Sequence, residues 1–123
     1  SKLIRMDTLN ADVLNELKSF MAPAEYHDFL QTACNKLREH IPVLQQQVAS
    51  QNWEDARRTA HHLKGTMGSL GCDSLYAVLH ALEEGLRQTP PSLPDAAVMK
   101  AVTLASDATR QALQGQCPAE NAL

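Results

Sequence analysis

The sequence predicts an all-α fold, an antiparallel up-and-down four-helix bundle with an additional N-terminal helix. Apolar residues recur at spacings of three and four along most of the chain, the period of a helix with one buried face. Hydrophobic residues make up 44% of the composition but aromatic residues only 4%, so the core must be built from Leu, Ala and Val. With few β-branched runs, that composition favours helix over sheet. The links between periodic stretches are mostly short, as they are between antiparallel neighbours. At 123 residues the chain reads as one domain, expected over 1–115 with a frayed tail over 116–123.

The first predicted helix covers 3–20, with Asn10 or Asp7 as cap and Leu9, Val13, Leu17 and Phe20 on one side. Met21-Ala22-Pro23 ends it, and Pro23 opens a long second helix, since proline suits a first helical turn. Its stripe runs through Tyr26, Leu30, Leu37, Ile41, Leu44 and Val48, and Pro42 predicts a kink near His40. Ser50-Gln51-Asn52 is read as a turn with Asn52 as the next cap, followed by Glu54 and Asp55, where the helix dipole favours negative charge. The third helix is expected from 53 to about 67, with Gly68 or Gly71 taking the left-handed conformation that ends it. A fourth begins near Cys72-Asp73-Ser74 and buries Leu75, Val78, Leu79, Leu82 and Leu86, with Glu83 bordering that stripe. The proline-rich segment 88–94 is extended, and Pro94 or Asp95 opens a last helix with the small inner residues Ala101, Val102, Ala105 and Ala112. The last four helices form the bundle and the first packs across one end.

A net charge of -3, with no basic stripe interleaved with aromatics, argues against nucleic acid as a partner. No apolar run approaches the roughly 18–20 residues of a membrane span. Cys34, Cys72 and Cys117 form no CxxC pair and leave one thiol over, which argues against a disulfide framework or structural zinc and for a reducing, cytoplasmic setting. Neither a Walker-type loop nor a kinase nucleotide motif is present, so no ATP site and no bound cofactor are expected. The chain starts with Ser1 rather than methionine, which points to a domain cut from a longer protein.

The chemistry is concentrated in Ala60-His61-His62-Leu63-Lys64-Gly65-Thr66-Met67-Gly68-Ser69-Leu70-Gly71. At about 100° per residue, His61 lies roughly opposite Leu63, Met67 and Leu70 and so points to solvent. A neutral imidazole nitrogen can hold a phosphoryl group covalently and release it, splitting one transfer into two easier steps. Lys64, one turn on, offers its ammonium as a mobile charge for the phosphate, and Arg57 and Arg58 add to the same field. Gly65 costs about 0.5–1 kcal/mol relative to alanine inside a helix. Clearance for a partner that must reach the imidazole would offset that loss.

The run AHHLKGTMGSLG, with Leu75, Leu79, Leu82 and Glu83 beyond it, resembles the histidine-containing phosphotransfer (HPt) domains of multistep two-component signalling. The pattern HxLKG with a glycine-rich helix end is met at His61, Leu63, Lys64, Gly65 and Gly71, and the likeness in length and helical pattern extends over about residues 8–115. The resemblance implies that His61, not His62, is the phospho-acceptor. His62 is rotated by about 100° from it and shares no face with Lys64. HPt domains often carry Gln or Glu at the place of Glu83; leaning across from the next helix, that carboxylate would accept an imidazole N–H and fix the tautomer. The implied partners are receiver domains of response regulators or of a hybrid sensor histidine kinase, whose C-terminal HPt domain this chain would be, with any Mg²⁺ held by the receiver's acidic site. Contact with them is expected around His61, at Arg57, Arg58, Gly65 and Gly68, on a domain that is monomeric in isolation and makes no direct membrane contact.

Plainer readings exist for each residue. Arg57 and Arg58 could be a solvated face with pairs such as Glu54–Arg58, worth a few tenths of a kcal/mol. His27, His40 and His80 read as surface or edge, and His61 with His62 lacks the spacing of a metal pair, so no metal site is expected. The alternative function is a docking domain without chemistry, against which His61, Lys64 and Gly65 stand together. A hydrolase using His61 and Glu83 lacks a nearby nucleophile or second carboxylate.

Overall fold

Five helices follow one another in a computed structural model that describes residues 7–116: α1 (Ala11–Phe20), α2 (Pro23–Ala49), α3 (Trp53–Ser69), α4 (Asp73–Arg87) and α5 (Ala96–Gln114). Helices α2 to α5 each pack on the next and α5 returns onto α2, closing the four-helix bundle, while α1 packs against α2. No strand occurs among the described residues. The core is leucine-rich, as the composition requires: Leu30, Leu37, Leu44, Leu63, Leu75 and Leu79 are all fully buried.

Helix α1 starts later than its predicted bound at residue 3. The side chain of Asn10 accepts from the N–H groups of Asp12 and Val13, at 3.1 and 3.2 Å, and makes Asn10 the cap. Upstream, the backbone is spent on tertiary contacts: Ser74 N–H donates to the Asp7 carbonyl at 3.1 Å, and Asn10 N–H donates to the Gly71 carbonyl at 2.7 Å. Residues 7–10 are therefore strapped to the α3–α4 turn at one end of the bundle instead of continuing the helix. Residues 3–6 of the predicted helix, Cys117 and most of the predicted tail lie outside the described residues.

Helix α2 runs through Pro42 without a break. Proline removes one backbone bond there, but Leu37, Ile41 and Leu44 stay on one buried stripe to either side of it, and their burial holds the two halves in phase.

The turns at the two ends of α3 are alike. After α2, the Asn52 N–H reaches the Gln47 carbonyl at 2.9 Å and the Gln51 N–H reaches Val48 at 3.0 Å; after α3, Cys72 reaches Met67 at 3.0 Å and Gly71 reaches Gly68 at 3.1 Å. This is the paired bonding of a Schellman motif, and its left-handed residue is Gln51 at φ 61° in the first case and Gly71 at φ 70° in the second. Gly68 is thus inside α3 and Gly71 ends it, two residues later than predicted. Asn52 stands at the start of α3, although its side chain makes no capping bond. Two tight turns of the same kind fix the rotation of α3 about its axis, and with it the direction in which the motif residues point.

Candidate functional site

Helix α3 buries Ala56, Ala60, Leu63 and Met67 and turns its other side outward. His61 lies at the middle of that outer side, with 58% of its side chain exposed. Across the α3–α4 contact, Glu83 has no exposed surface at all. It is therefore deeper than the bordering position expected of it, because the ion pairs that surround it offset the cost of burying its charge.

His61 Nδ1 lies 2.7 Å from Glu83 Oε2. The guanidinium of Arg87, one turn along α4, donates to the same oxygen from Nε at 3.0 Å and Nη2 at 2.8 Å. The Lys64 ammonium occupies the other oxygen, with Nζ 2.6 Å from Oε1. Burial pushes the Glu83 carboxyl upward, but Lys64, Arg87 and His61 together outweigh it and hold the group at about 2. Glu83 is thus ionised across the ordinary pH range and can only accept hydrogen bonds. That assigns the proton of a neutral His61 ring to Nδ1 and leaves Nε2, the outer nitrogen, with a free lone pair.

Lys64 is not the mobile charge expected from the sequence. Only 15% of its side chain is exposed. Besides Glu83, its ammonium lies 3.4 Å from His80 Nδ1 and 5.9 Å from the centre of the Tyr76 ring. A buried carboxylate requires a counterion, and Lys64 is held in place to provide it.

Gly65 and Gly68 differ in what surrounds them. A Cβ added at Gly65 would meet nothing within 4 Å, so no internal packing requires glycine there. A Cβ at Gly68 would come within 3.1 Å of Tyr76 Cδ2, so the contents of the chain itself account for that glycine.

The two arginines also part company. Arg57 pairs with Glu54 at 2.7 Å, and the field of Glu83 reaches it. Arg58 pairs with Asp55 at 2.6 Å, so the Glu54–Arg58 pair weighed above does not form. Arg58 lines a cleft of about 210 Å³ between α2 and α3 together with His40, Thr59, His62 and Leu63. His62 faces the His40 ring there, with centres 6.4 Å apart. The structure thus gathers His61, Lys64 and Glu83, leaves Gly65 open beside them, and turns Arg58 and His62 toward α2.

Sequence reasoning did not find Arg87, His80 and Tyr76. The spacing that marks them was present: Glu83 and Arg87 are four apart, as are Tyr76 and His80, and pairs at that spacing meet on a helix. Tyr76 and His80 stack with their rings 5° from parallel. What the spacing did not reveal is that this face of α4 lies against Lys64.

Among the described residues, no helix is long and apolar enough to cross a membrane. The family model of the Hpt domain matches residues 28–115 of the chain. Comparison with curated proteins and with solved structures gave no match.

Proposed function

The chain belongs to the Hpt family, the histidine phosphotransfer modules of phosphorelays, and on that premise we propose that His61 is the residue that carries the phosphoryl group. Domains of this family are phosphocarriers that interact with receiver domains; they are not catalytic domains. In our reading, the His61 Nε2 lone pair attacks the phosphorus of a receiver's aspartyl phosphate. The Nε2–P bond forms as the P–O bond to the aspartyl carboxyl breaks, and the carboxylate leaves with the electron pair. Nδ1 keeps its proton throughout, and the positive charge that develops on the ring faces the ionised Glu83. Transfer to the next receiver is the reverse step on a different aspartate.

The observation that supports this reading best is the Nδ1–Glu83 bond of 2.7 Å behind a half-exposed ring, which leaves the nucleophilic nitrogen outward. Gly65 adds to it, since the space above it is open to a partner. Lys64, fixed close by, supplies positive charge without having to reorganise. The charge on the transferring group would be offset further by a Mg²⁺ ion in the receiver's own acidic site, with no cofactor bound by this domain. Cys34 and Cys72 are buried and form no disulfide, which suits a reducing compartment, and we place the domain in the cytoplasm, as a monomer.

The test is to mix the domain with a receiver domain phosphorylated by labelled acetyl phosphate and to follow acid-labile, base-stable label on it. Wild type and His62→Gln are expected to take up label and His61→Gln to take up none. Label lost from His62→Gln and kept in His61→Gln would overturn the assignment.

A further inference from the structure

Tyr76 is a surface residue, 38% exposed, that the transfer chemistry does not call for, yet it meets Lys64, His80 and Gly68. Its ring lies over Gly68, where a Cβ would come within 3.1 Å of Cδ2 and 3.2 Å of Cε2. It also stacks on His80, with ring centres 5.9 Å apart. The Lys64 ammonium sits 5.9 Å from its centre, within the range of a cation–π contact. His80, held by the stack, presents Nδ1 to the same ammonium at 3.4 Å.

We propose that Tyr76, seated on Gly68, is a positioning residue for phosphoryl transfer: its ring holds the Lys64 ammonium and the His80 acceptor in the place from which Lys64 acts on the group carried by His61. The inference rests on the reading of His61 given above. It also gives Gly68 a different purpose from the partner contact expected of it, because the room that glycine leaves is filled by this chain's own tyrosine. A long lysine side chain on a helix surface ordinarily samples many rotamers, and ordering it costs entropy each time the charge is needed. Glu83 fixes one N–H direction of Lys64. The aromatic face and His80 limit the others, so the charge is already in position when the phosphoryl group arrives.

The experiment uses potassium phosphoramidate, a small phosphoryl donor that has no docking surface of its own. The P–N bond of the donor breaks and ammonia leaves as the His61 Nε2–P bond forms, so the rate reports the site and not a protein interface. Tyr76→Leu is expected to slow modification of His61 about two- to fivefold, the worth of a partly exposed cation–π contact. Tyr76→Phe, which keeps the ring, is expected to restore the rate. The upfield ring-current shift of the Lys64 side-chain protons should vanish in the first variant and persist in the second. Gly68→Ala should slow the same small-donor reaction, and adding it to Tyr76→Leu should cost nothing further. Equal rates in wild type and Tyr76→Leu would overturn the proposal, as would a Tyr76→Phe variant as slow as Tyr76→Leu. A Gly68→Ala variant slowed only with receiver donors would return Gly68 to the partner surface and refute its seating role. His61→Gln, run in parallel with a phosphorylated receiver as donor, separates this question from the first: label taken up by it would defeat the His61 assignment whatever the Tyr76 variants do.

Discussion

Replacing Glu83 by glutamine keeps the shape of the side chain and removes its charge, and the structure sets how much the pH dependence of stability must change. The carboxyl moves from an ordinary value of 4.5 to about 2 in the folded protein. A folded value below the unfolded one means that the native state holds the proton less tightly, so the stabilisation is complete above the unfolded value. It is lost as pH falls from about 4.5 toward about 2. The separation between those values corresponds to about 3 kcal/mol, carried by Lys64, Arg87 and His61 against the cost of burial. The assay is urea unfolding of wild type and Glu83→Gln, followed by far-UV circular dichroism at fixed salt over a pH series. Other carboxylates contribute equally to both proteins, so the quantity to plot is the difference in unfolding free energy. That difference should favour wild type at neutral pH and shrink by about 3 kcal/mol on the way to about pH 2. Parallel curves for the two proteins would refute the argument, because they would mean that Lys64, Arg87 and the His61 N–H do not hold Glu83 ionised.

Three further substitutions test the glycines. Gly65→Ala is expected to raise the unfolding free energy by about 0.5–1 kcal/mol, since the added Cβ meets open space and glycine is a poor helix residue; chemical denaturation reads this directly. Gly65→Leu should keep the fold and the reaction with phosphoramidate while slowing transfer from a receiver, and an unchanged receiver rate would remove the clearance argument. Gly71→Ala should destabilise by at least about 1–2 kcal/mol, the cost of a left-handed alanine, because at its φ of 70° the added Cβ would also come within 2.9 Å of Asn10 and Val13. A melting temperature unchanged by that substitution would contradict the strap between α1 and the α3–α4 turn.

Much of this arrangement was legible in the residues. Helical period placed Ala60, Leu63 and Met67 inward and so placed His61 outward, because a rotation of one residue determines the face of every other. The α1 boundary was not legible. Asn10 and Asp7 are both good caps, and the choice between them depended on backbone partners at Gly71 and Ser74 that are distant in sequence. Lys64 was misjudged for a similar reason: on its own helix it looks solvated, and only α4 shows that a buried carboxylate and two stacked rings confine it. The depth of Glu83 could not be read from a stripe either, since a helical pattern ranks residues by angle but does not say how closely the neighbouring helix approaches.

The ring of His61 stands on the outer side of α3 with Nδ1 turned to Glu83, so Nε2 is the one nitrogen it offers. Two visitors cannot address it together. On the reading proposed for His61, a donor departs before an acceptor arrives, and incoming and outgoing traffic compete for one berth. An excess of unloaded acceptor would then slow loading by occupancy alone, and the net direction of flow would follow the relative abundance and charging of the proteins that take turns there.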